Sequence, residues 1–132
     1  MTYKFTDPNF INSSIYQNFL EENPVYGYLK IRAYTAGGAV PIEGLKIIIS
    51  KTIDDNKIIF FEGETNQSGT IEKIELPAPK LNQNDLNAPN RIKYDVFASY
   101  NNETYTYVVN IFENIYVIQN INVAPTADMG GM

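Results

Sequence analysis

The chain has 132 residues, no cysteine, histidine or tryptophan, and a formal net charge of −5 from 10 basic and 15 acidic side chains. This length fits one domain, and the composition excludes disulfides, zinc–thiolate sites and thiol nucleophiles. The absence of histidine removes the usual general base near neutral pH, and the acidic balance argues against a nucleic-acid surface. We expect no catalytic residues, no cofactor and no metal site, and we predict that the chain is not an enzyme. An enzyme would have to use paired carboxylates alone for acid–base catalysis, and no carboxylate spacing in the chain selects such a pair.

Residues 1–24 are predicted to form an N-terminal arm with one short helix. Ser13 and Ser14 precede apolar residues at helical spacing, and Asn23 before Pro24 ends the pattern because a residue before proline avoids helical geometry. The arm holds too many apolar side chains for a free tail, so it packs either on its own domain or on a second copy. The residues predicted to make assembly contacts are Phe5, Phe10, Ile15, Tyr16 and Phe19.

The arm contains no continuous apolar run of the kind found in signal peptides, and no segment of the chain approaches the length that spans a bilayer. We expect cytoplasmic synthesis without a signal peptide and no membrane insertion. After synthesis, the alternative location considered for the protein is a spore or a particle.

Strand patterns separated by turn signals fill residues 25–125. In residues 26–34 the apolar side chains of Leu29, Ile31 and Ala33 alternate with polar ones, which predicts a half-buried strand. Two hairpins are predicted, one joining residues 45–53 to 57–64 and one joining residues 92–100 to 103–112. The remaining strands are predicted at residues 70–76 and 115–123.

The pattern as a whole predicts an all-β fold, an antiparallel seven-stranded two-sheet sandwich. Residues 77–90 hold three prolines and four asparagines, which indicates a long loop. The domain organisation predicted is therefore an arm at 1–24, a β-sandwich domain at 25–125 and a flexible tail at 126–132.

Several short motifs occur in a recognisable order, and the sequence between them fits the predicted strands. The motifs are Gly27-Tyr-Leu-Lys-Ile-Arg-Ala, Ala39-Val-Pro-Ile-Glu-Gly-Leu-Lys-Ile-Ile-Ile, Glu64-Thr-Asn-Gln-Ser-Gly-Thr, Glu75-Leu-Pro-Ala-Pro, Tyr94-Asp-Val-Phe-Ala and Val117-Ile-Gln-Asn-Ile-Asn-Val-Ala-Pro. This order resembles the carboxypeptidase-regulatory-like, transthyretin-like (prealbumin-like) sandwich domains, in the form found with clostridial spore cortex-lytic proteins and related Firmicutes proteins. The resemblance covers about residues 25–125 and implies a domain without catalytic residues of its own.

The same resemblance suggests one enzyme, which hydrolyses 5-hydroxyisourate with histidines, an arginine and a C-terminal Tyr-Arg-Gly-Ser signature. This chain has no histidine and ends in Asp128-Met-Gly-Gly-Met, so we do not expect that activity. A Lys30–Asn110 isopeptide bond, as in related adhesin repeats, is also not expected, because alternation turns Lys30 to solvent.

Two further groups of side chains have a possible binding role. The acidic residues Asp54, Asp55, Glu62 and Glu64 could bind calcium, but a calcium-binding loop is absent and solvated edge charges are the more common role. Tyr105 and Tyr107 alternate on the face of Val109 and Ile111, where their rings either fill the core or form an exposed aromatic face. The candidate binding residues are Tyr100, Tyr105 and Tyr107, with Leu81, Asn84 and Leu86 of the predicted loop.

These observations predict a non-catalytic binding or accessory module. Its partner would be a protein or a polymer of the cell wall, cell envelope or spore, and not a nucleic acid. The alternative is a structural subunit of a self-assembling particle, filament or spore layer, in which the arm makes the contacts between subunits.

Overall fold

The protein is represented by a computed structural model that describes residues 13–81 and 90–124. All seven predicted strands and the predicted helix are present in these residues, together with one additional two-residue strand. The elements are α1 (Ser14–Glu22), β1 (Val25–Thr35), β2 (Val40–Pro41), β3 (Lys46–Ile53), β4 (Asn56–Glu64), β5 (Thr70–Ala78), β6 (Ile92–Tyr100), β7 (Glu103–Ile111) and β8 (Tyr116–Asn122).

The strands form two sheets that pack face to face, which confirms the predicted fold class. In the first sheet β1 is central, with β5 on one side, β8 on the other and the short β2 paired to its end. In the second sheet the order is β4–β3–β6–β7. The two predicted hairpins occur as β3–β4 and β6–β7, and the positive φ angles of Asp54, Asp55, Asn101 and Asn102 give both turns the twist that suits such hairpins.

One strand pair departs from the antiparallel pattern. β8 runs parallel to β1, with Tyr28 opposite Tyr116 at one end and Tyr34 opposite Asn122 at the other. The cause is the connection after β7, which crosses from the second sheet to the start of β1: the N–H of Asn114 donates to the carbonyl of Tyr26 at 2.8 Å. A strand that enters beside the start of β1 then runs in the same direction as β1.

The core lies between the two sheets and follows the alternation of the strands. Leu29, Ile31 and Ala33 of β1 are buried, as the alternation in residues 26–34 predicted. They meet inward side chains of the second sheet, among them Ile47, Ile49, Val96, Val109 and Ile111. Burial of such aliphatic side chains contributes about 1.5–3 kcal/mol each.

Helix α1 packs on the sandwich of its own chain. The Ser13 hydroxyl accepts a hydrogen bond from the Tyr16 N–H at 3.3 Å, and Asn23 closes the last turn by donating to the Phe19 carbonyl, so both predicted ends are confirmed. Phe19 is 6% exposed, and its ring lies 5.7 Å from that of Phe60. The apolar side of the helix therefore belongs to the core.

The predicted 77–90 loop begins later than expected. β5 continues through Pro77 to Ala78, because β5 is an edge strand and a proline there leaves no ladder hydrogen bond unmade. The Pro77 carbonyl accepts a hydrogen bond from the Tyr94 hydroxyl at 2.5 Å. Residues 82–89, the first part of the arm and the predicted tail lie outside the described residues, and the domain bounds stay predictions. No helix of the described part is long and apolar enough to cross a membrane.

Candidate functional site

The structure places the predicted binding tyrosines on the inner side of the sandwich. Tyr100, Tyr105 and Tyr107 are half-buried and pack against the core. Tyr105 and Tyr107 lie on the same side of β7 as the buried Val109 and Ile111. Burial raises the pKa of Tyr107, which fits a ring that is partly withdrawn from water. The rings therefore lie on the core side of their strands, and their role in binding stays a prediction.

The other predicted residues are spread over the molecule. Leu81 is half-buried, and its backbone N–H donates to the Glu113 carboxylate at 2.9 Å. Of the predicted assembly residues, Phe19 lies in the core, Tyr16 packs on it half-buried, and Ile15 is 39% exposed. Asn84, Leu86, Phe5 and Phe10 lie outside the described residues.

An exposed aromatic surface does exist, on the outer face of the first sheet. Tyr28 of β1 and Tyr116 of β8 are register partners, and the two rings stack with 4.8 Å between their centroids and 26° between their planes. Lys73 of β5 lies over the Tyr28 ring, with its Nζ 4.7 Å from the centroid of that ring. This cation–π contact holds Lys73 beside the stacked rings.

This pair and its neighbours along β1 and β8 expose large apolar side chains. Tyr116 is 56% exposed, Ile118 of β8 is 52% exposed and Tyr26 of β1 is 52% exposed. We call the surface formed by Tyr26, Tyr28, Lys73, Tyr116 and Ile118 the tyrosine platform. Clusters of large apolar side chains on a solvent-facing surface commonly mark interaction sites, whereas single exposed ones do not.

An ion pair limits the platform on the side of β5. Lys30 Nζ lies 3.3 Å from the Glu72 carboxylate, and the Thr70 hydroxyl donates to the same carboxylate at 2.6 Å. The hydrogen bond from Thr70, followed by the contact with Lys30, lowers the pKa of Glu72 below its usual value. Glu72 is therefore charged at neutral pH, and the rim of the platform carries both signs of charge.

Sequence reasoning missed the platform for a specific reason. Alternation in residues 26–34 correctly turned Tyr28 and Lys30 to solvent. The partner of Tyr28 is Tyr116, which is far away in sequence, and a parallel pairing of β1 with β8 was not predicted. The available signal was the set of outward tyrosines in β1 itself.

The outer face of the second sheet carries both polar and apolar side chains. It has a depression of about 670 Å³, lined by Ser50, Lys57 and Asp95 together with Phe97, Tyr107 and Val108. Among residues 13–81 and 90–124, no three His, Cys, Asp or Glu side chains group closely enough to hold a metal ion. The acids considered for calcium are divided, because Asp54 and Asp55 lie in the turn before β4 and Glu62 and Glu64 at its far end.

The isopeptide geometry is also absent for Lys30 and Asn110. Lys30 lies in the first sheet and pairs with Glu72. Asn110 is an exposed residue of β7 in the second sheet, opposite Lys93. The two side chains therefore point outward from opposite faces of the sandwich, where they cannot meet to form a bond.

Comparison with solved structures identifies the architecture. Klebsiella pneumoniae 5-hydroxyisourate hydrolase is similar over 76% of this chain and 92% of its own, with 15% identity and a TM-score of 0.52. An (S)-allantoin synthase is similar over 83% of this chain and 45% of its own, with 12% identity and a TM-score of 0.51. The fold is transthyretin-like. No protein-family model and no curated protein sequence matches the chain.

These similarities correct one prediction. The expectation that this chain is not an enzyme is wrong as an inference from its fold, because both similar structures are enzymes built on the same sandwich. At 12–15% identity the likeness extends to the fold and to neither activity. The association with spore cortex-lytic proteins finds no support in these similarities.

Proposed function

We propose that this chain is a protein-binding β-sandwich module and that the tyrosine platform is its binding surface. The observation that carries the proposal is the stacked Tyr28–Tyr116 pair, which is held rigidly by two neighbouring strands beside the exposed Ile118. Rigid aromatic side chains lose little conformational entropy on binding and are enriched at protein interfaces. An aromatic pair fixed in this way provides a preformed anchor.

The chemistry of the surroundings favours a protein over a polysaccharide. Ile118 and Tyr26 extend the platform with apolar area that the side chains of a protein can cover. Polar groups lie at the margin, where Lys30 and Glu72 form their ion pair, as at the rim of protein interfaces. The net charge of −5 makes a nucleic-acid partner unfavourable.

The packing of α1 bears on the alternative function, a self-assembling subunit joined by its arm. Phe19 is used inside its own sandwich, where it contacts Phe60 and stacks near Tyr16 at 6.1 Å. A helix whose apolar side is occupied in this way has little surface left for a second copy. We therefore treat helix α1 as a structural element of the domain and not as the contact between copies.

The test is capture of partners by purified wild-type protein and by the variant Tyr116→Ala, with Val108→Ala as the matched control. Val108 is 60% exposed on β7 and lies on the other sheet, so its replacement changes a comparable surface far from the platform. We expect wild type and Val108→Ala to retain at least one protein from the native extract in equal amounts. Tyr116→Ala should retain at least tenfold less of that protein. Equal retention by all three, or platform-dependent retention on isolated cell walls alone, would contradict the proposal.

A further inference from the structure

Strand β8 has one backbone edge that no other described strand pairs with. β1 is the one strand that pairs with β8 in the described part of the chain. The N–H of Val123 donates to Tyr34 and the carbonyl of Ile115 accepts from Tyr28, so these odd-numbered residues face β1. Because backbone groups alternate along a strand, the even-numbered residues direct their N–H and C=O groups to the opposite edge. These residues are Tyr116, Ile118, Asn120 and Asn122.

One of these edge groups already has a local partner. The Gln119 side chain donates from Nε2 to the Asn120 carbonyl at 2.8 Å. The contact is exposed and involves neighbouring residues, so it exchanges readily with a better partner. The remaining edge groups of β8 have no backbone partner among the described residues.

The sequence of β8 lacks the residue types that commonly keep a strand edge from pairing. Tyr-Val-Ile-Gln-Asn-Ile-Asn contains no charge, no proline and no glycine. Exposed edges in natural proteins are usually blunted by charged side chains, prolines or bulges. The other edge of the same sheet is blunted in this way, since β5 carries Glu72, Lys73, Glu75 and Pro77.

We propose that β8 pairs with β8 of a second copy of this chain, antiparallel, around a two-fold axis at Gln119. The axis position follows from the hydrogen-bonding pattern. Even-numbered residues must face even-numbered residues across the new pair, and centring on Gln119 brings all seven residues of β8 into register. Ile118 then exchanges hydrogen bonds with Asn120 of the second copy, and Tyr116 with Asn122 of the second copy.

The side chains are self-complementary in this register. On the inner side, Val117 meets Ile121 of the second copy, which extends the apolar layer of the core beyond β8. On the outer side Ile118 meets Asn120 of the second copy, and no like charges oppose each other because β8 has none. A strand without charges is therefore better matched to its own copy than the charged edges of β4 or β5 would be.

The pairing would also join two platforms. An antiparallel pair related by an axis perpendicular to the sheet keeps the outer faces of both copies on one side. The first sheets then form one continuous sheet, with β8 and its symmetry mate at the centre. Tyr116 and Ile118 of both copies lie near the axis on the same surface.

The chain contains no cysteine, so an introduced one reports pairing without background. In the proposed register residue 119 is opposite itself, with the two Cα atoms about 4.5 Å apart, which a disulfide can bridge. We expect Gln119→Cys to form a covalent dimer under mild oxidation. Asn120→Cys is the matched control, because its Cα atoms would be about 8 Å apart, beyond disulfide reach.

A mixture of two variants tests the register itself. Ile118→Cys and Asn120→Cys, each poorly cross-linked alone, are expected to form a mixed disulfide at least tenfold faster together. Equal cross-linking of Gln119→Cys and Asn120→Cys, or a mixture no faster than its components, would overturn the proposed pairing. A Gln119→Cys variant that stays monomeric under the same oxidation would also overturn it.

Sedimentation of the full chain provides the non-covalent measurement. Ile118→Lys is expected to weaken the dimer at least tenfold, with an unchanged circular dichroism spectrum because the residue is 52% exposed. Val108→Lys, at a 60% exposed position on the other sheet, should leave the dimer intact. Both measurements use purified protein alone, so their failure would leave the proposed partner binding of the platform unaffected. Equal effects of the two substitutions would contradict pairing at β8.

Discussion

The two strands that flank β1 present opposite kinds of edge. β5 has nine residues, of which Glu72, Lys73 and Glu75 are charged and Pro77 cannot donate a hydrogen bond. β8 has seven residues without charge or proline, and it exposes Tyr116 and Ile118. Both strands contribute to the same core through their inner side chains. The difference therefore lies in what the edges and outer faces allow, and it indicates which side of the sheet is open to further pairing.

The largest expected effect on stability comes from a substitution at Gly69, where β5 attaches to β1. Gly69 precedes β5 with φ 75°, and a Cβ there would lie 2.4 Å from the carbonyl oxygen of Ala33. That backbone cannot move away easily, because the Ala33 N–H donates to the Gly69 carbonyl at 2.7 Å. We expect Gly69→Ala to lower the free energy of unfolding by about 3 kcal/mol or more in urea titrations.

The control for this substitution is Gly37→Ala. Gly37 has φ 66° and nothing within 4 Å of the added Cβ, so backbone strain is the whole cost there. We expect a loss of about 1 kcal/mol. Equal losses for the two variants would show that β5 does not approach β1 as closely as the structure indicates.

The buried hydroxyl of Thr65 joins the turn between β4 and β5 to the segment that precedes β3. Thr65 is 4% exposed, its hydroxyl donates to the Ile42 carbonyl at 2.6 Å, and it accepts from the Leu45 N–H at 3.0 Å. Thr65→Val keeps the shape and leaves both backbone groups unsatisfied, so we expect a loss of about 2 kcal/mol in unfolding free energy.

Thr35 is the matched position at the end of β1. Its hydroxyl is buried and has no hydrogen-bond partner among the described residues. Thr35→Val should therefore leave stability unchanged or raise it by up to about 1 kcal/mol. The same titration measures both variants, and a loss at Thr35 as large as that at Thr65 would contradict the hydrogen bonding.

Local patterns were sufficient to predict most of the fold. Alternation in residues 26–34 identified the core side chains of β1, and Ser13 and Asn23 marked the ends of α1, because these signals depend on neighbours in sequence. The parallel pairing of β8 depends on how the chain crosses between sheets after β7, which no local pattern records. For this reason the stacking of Tyr28 on Tyr116 could not be predicted, although the sequence shows both tyrosines in predicted strands.

The same limit explains the outcome for the predicted site. Alternation placed Tyr105 and Tyr107 correctly on one face of β7, but it could not say whether that face was the core. The absence of histidine excluded particular chemistries and was extended too far, to enzymes as a class. The transthyretin-like fold supports enzymes as well as other functions.

Removal of the β5 charges should reduce the difference between the two edges to the presence of Pro77 in β5. We expect Glu72→Thr, Lys73→Thr and Glu75→Thr together to produce species larger than a dimer in sedimentation, because the sheet then has two open edges. The control is the triple variant Glu21→Thr, Glu43→Thr and Lys46→Thr, which changes the net charge equally at exposed positions away from β5. Larger species in both triple variants would attribute the association to net charge and not to the edge.

The smallest expected effect concerns pH. Because the pKa of Glu72 is lowered in the folded state, by the Thr70 hydrogen bond and then by Lys30, its ionised form favours folding. This contribution is present above the ordinary pKa of glutamate and is lost as the pH falls through the lowered value. Glu72→Gln should therefore reduce the Tm slightly at pH 7 and leave it equal to wild type near pH 2. A constant difference at both pH values would contradict the assignment.

The difference between β5 and β8 is tested most directly by residue-resolved hydrogen exchange at low and high protein concentration. At low concentration the Ile118 and Asn120 amides should exchange rapidly, because they face the free edge of β8. At high concentration we expect both to become protected at least tenfold, while the amides of β5 are unchanged. Protection that appears in β5, or exchange at Ile118 and Asn120 that does not depend on concentration, would contradict an open β8 edge that pairs with a second copy.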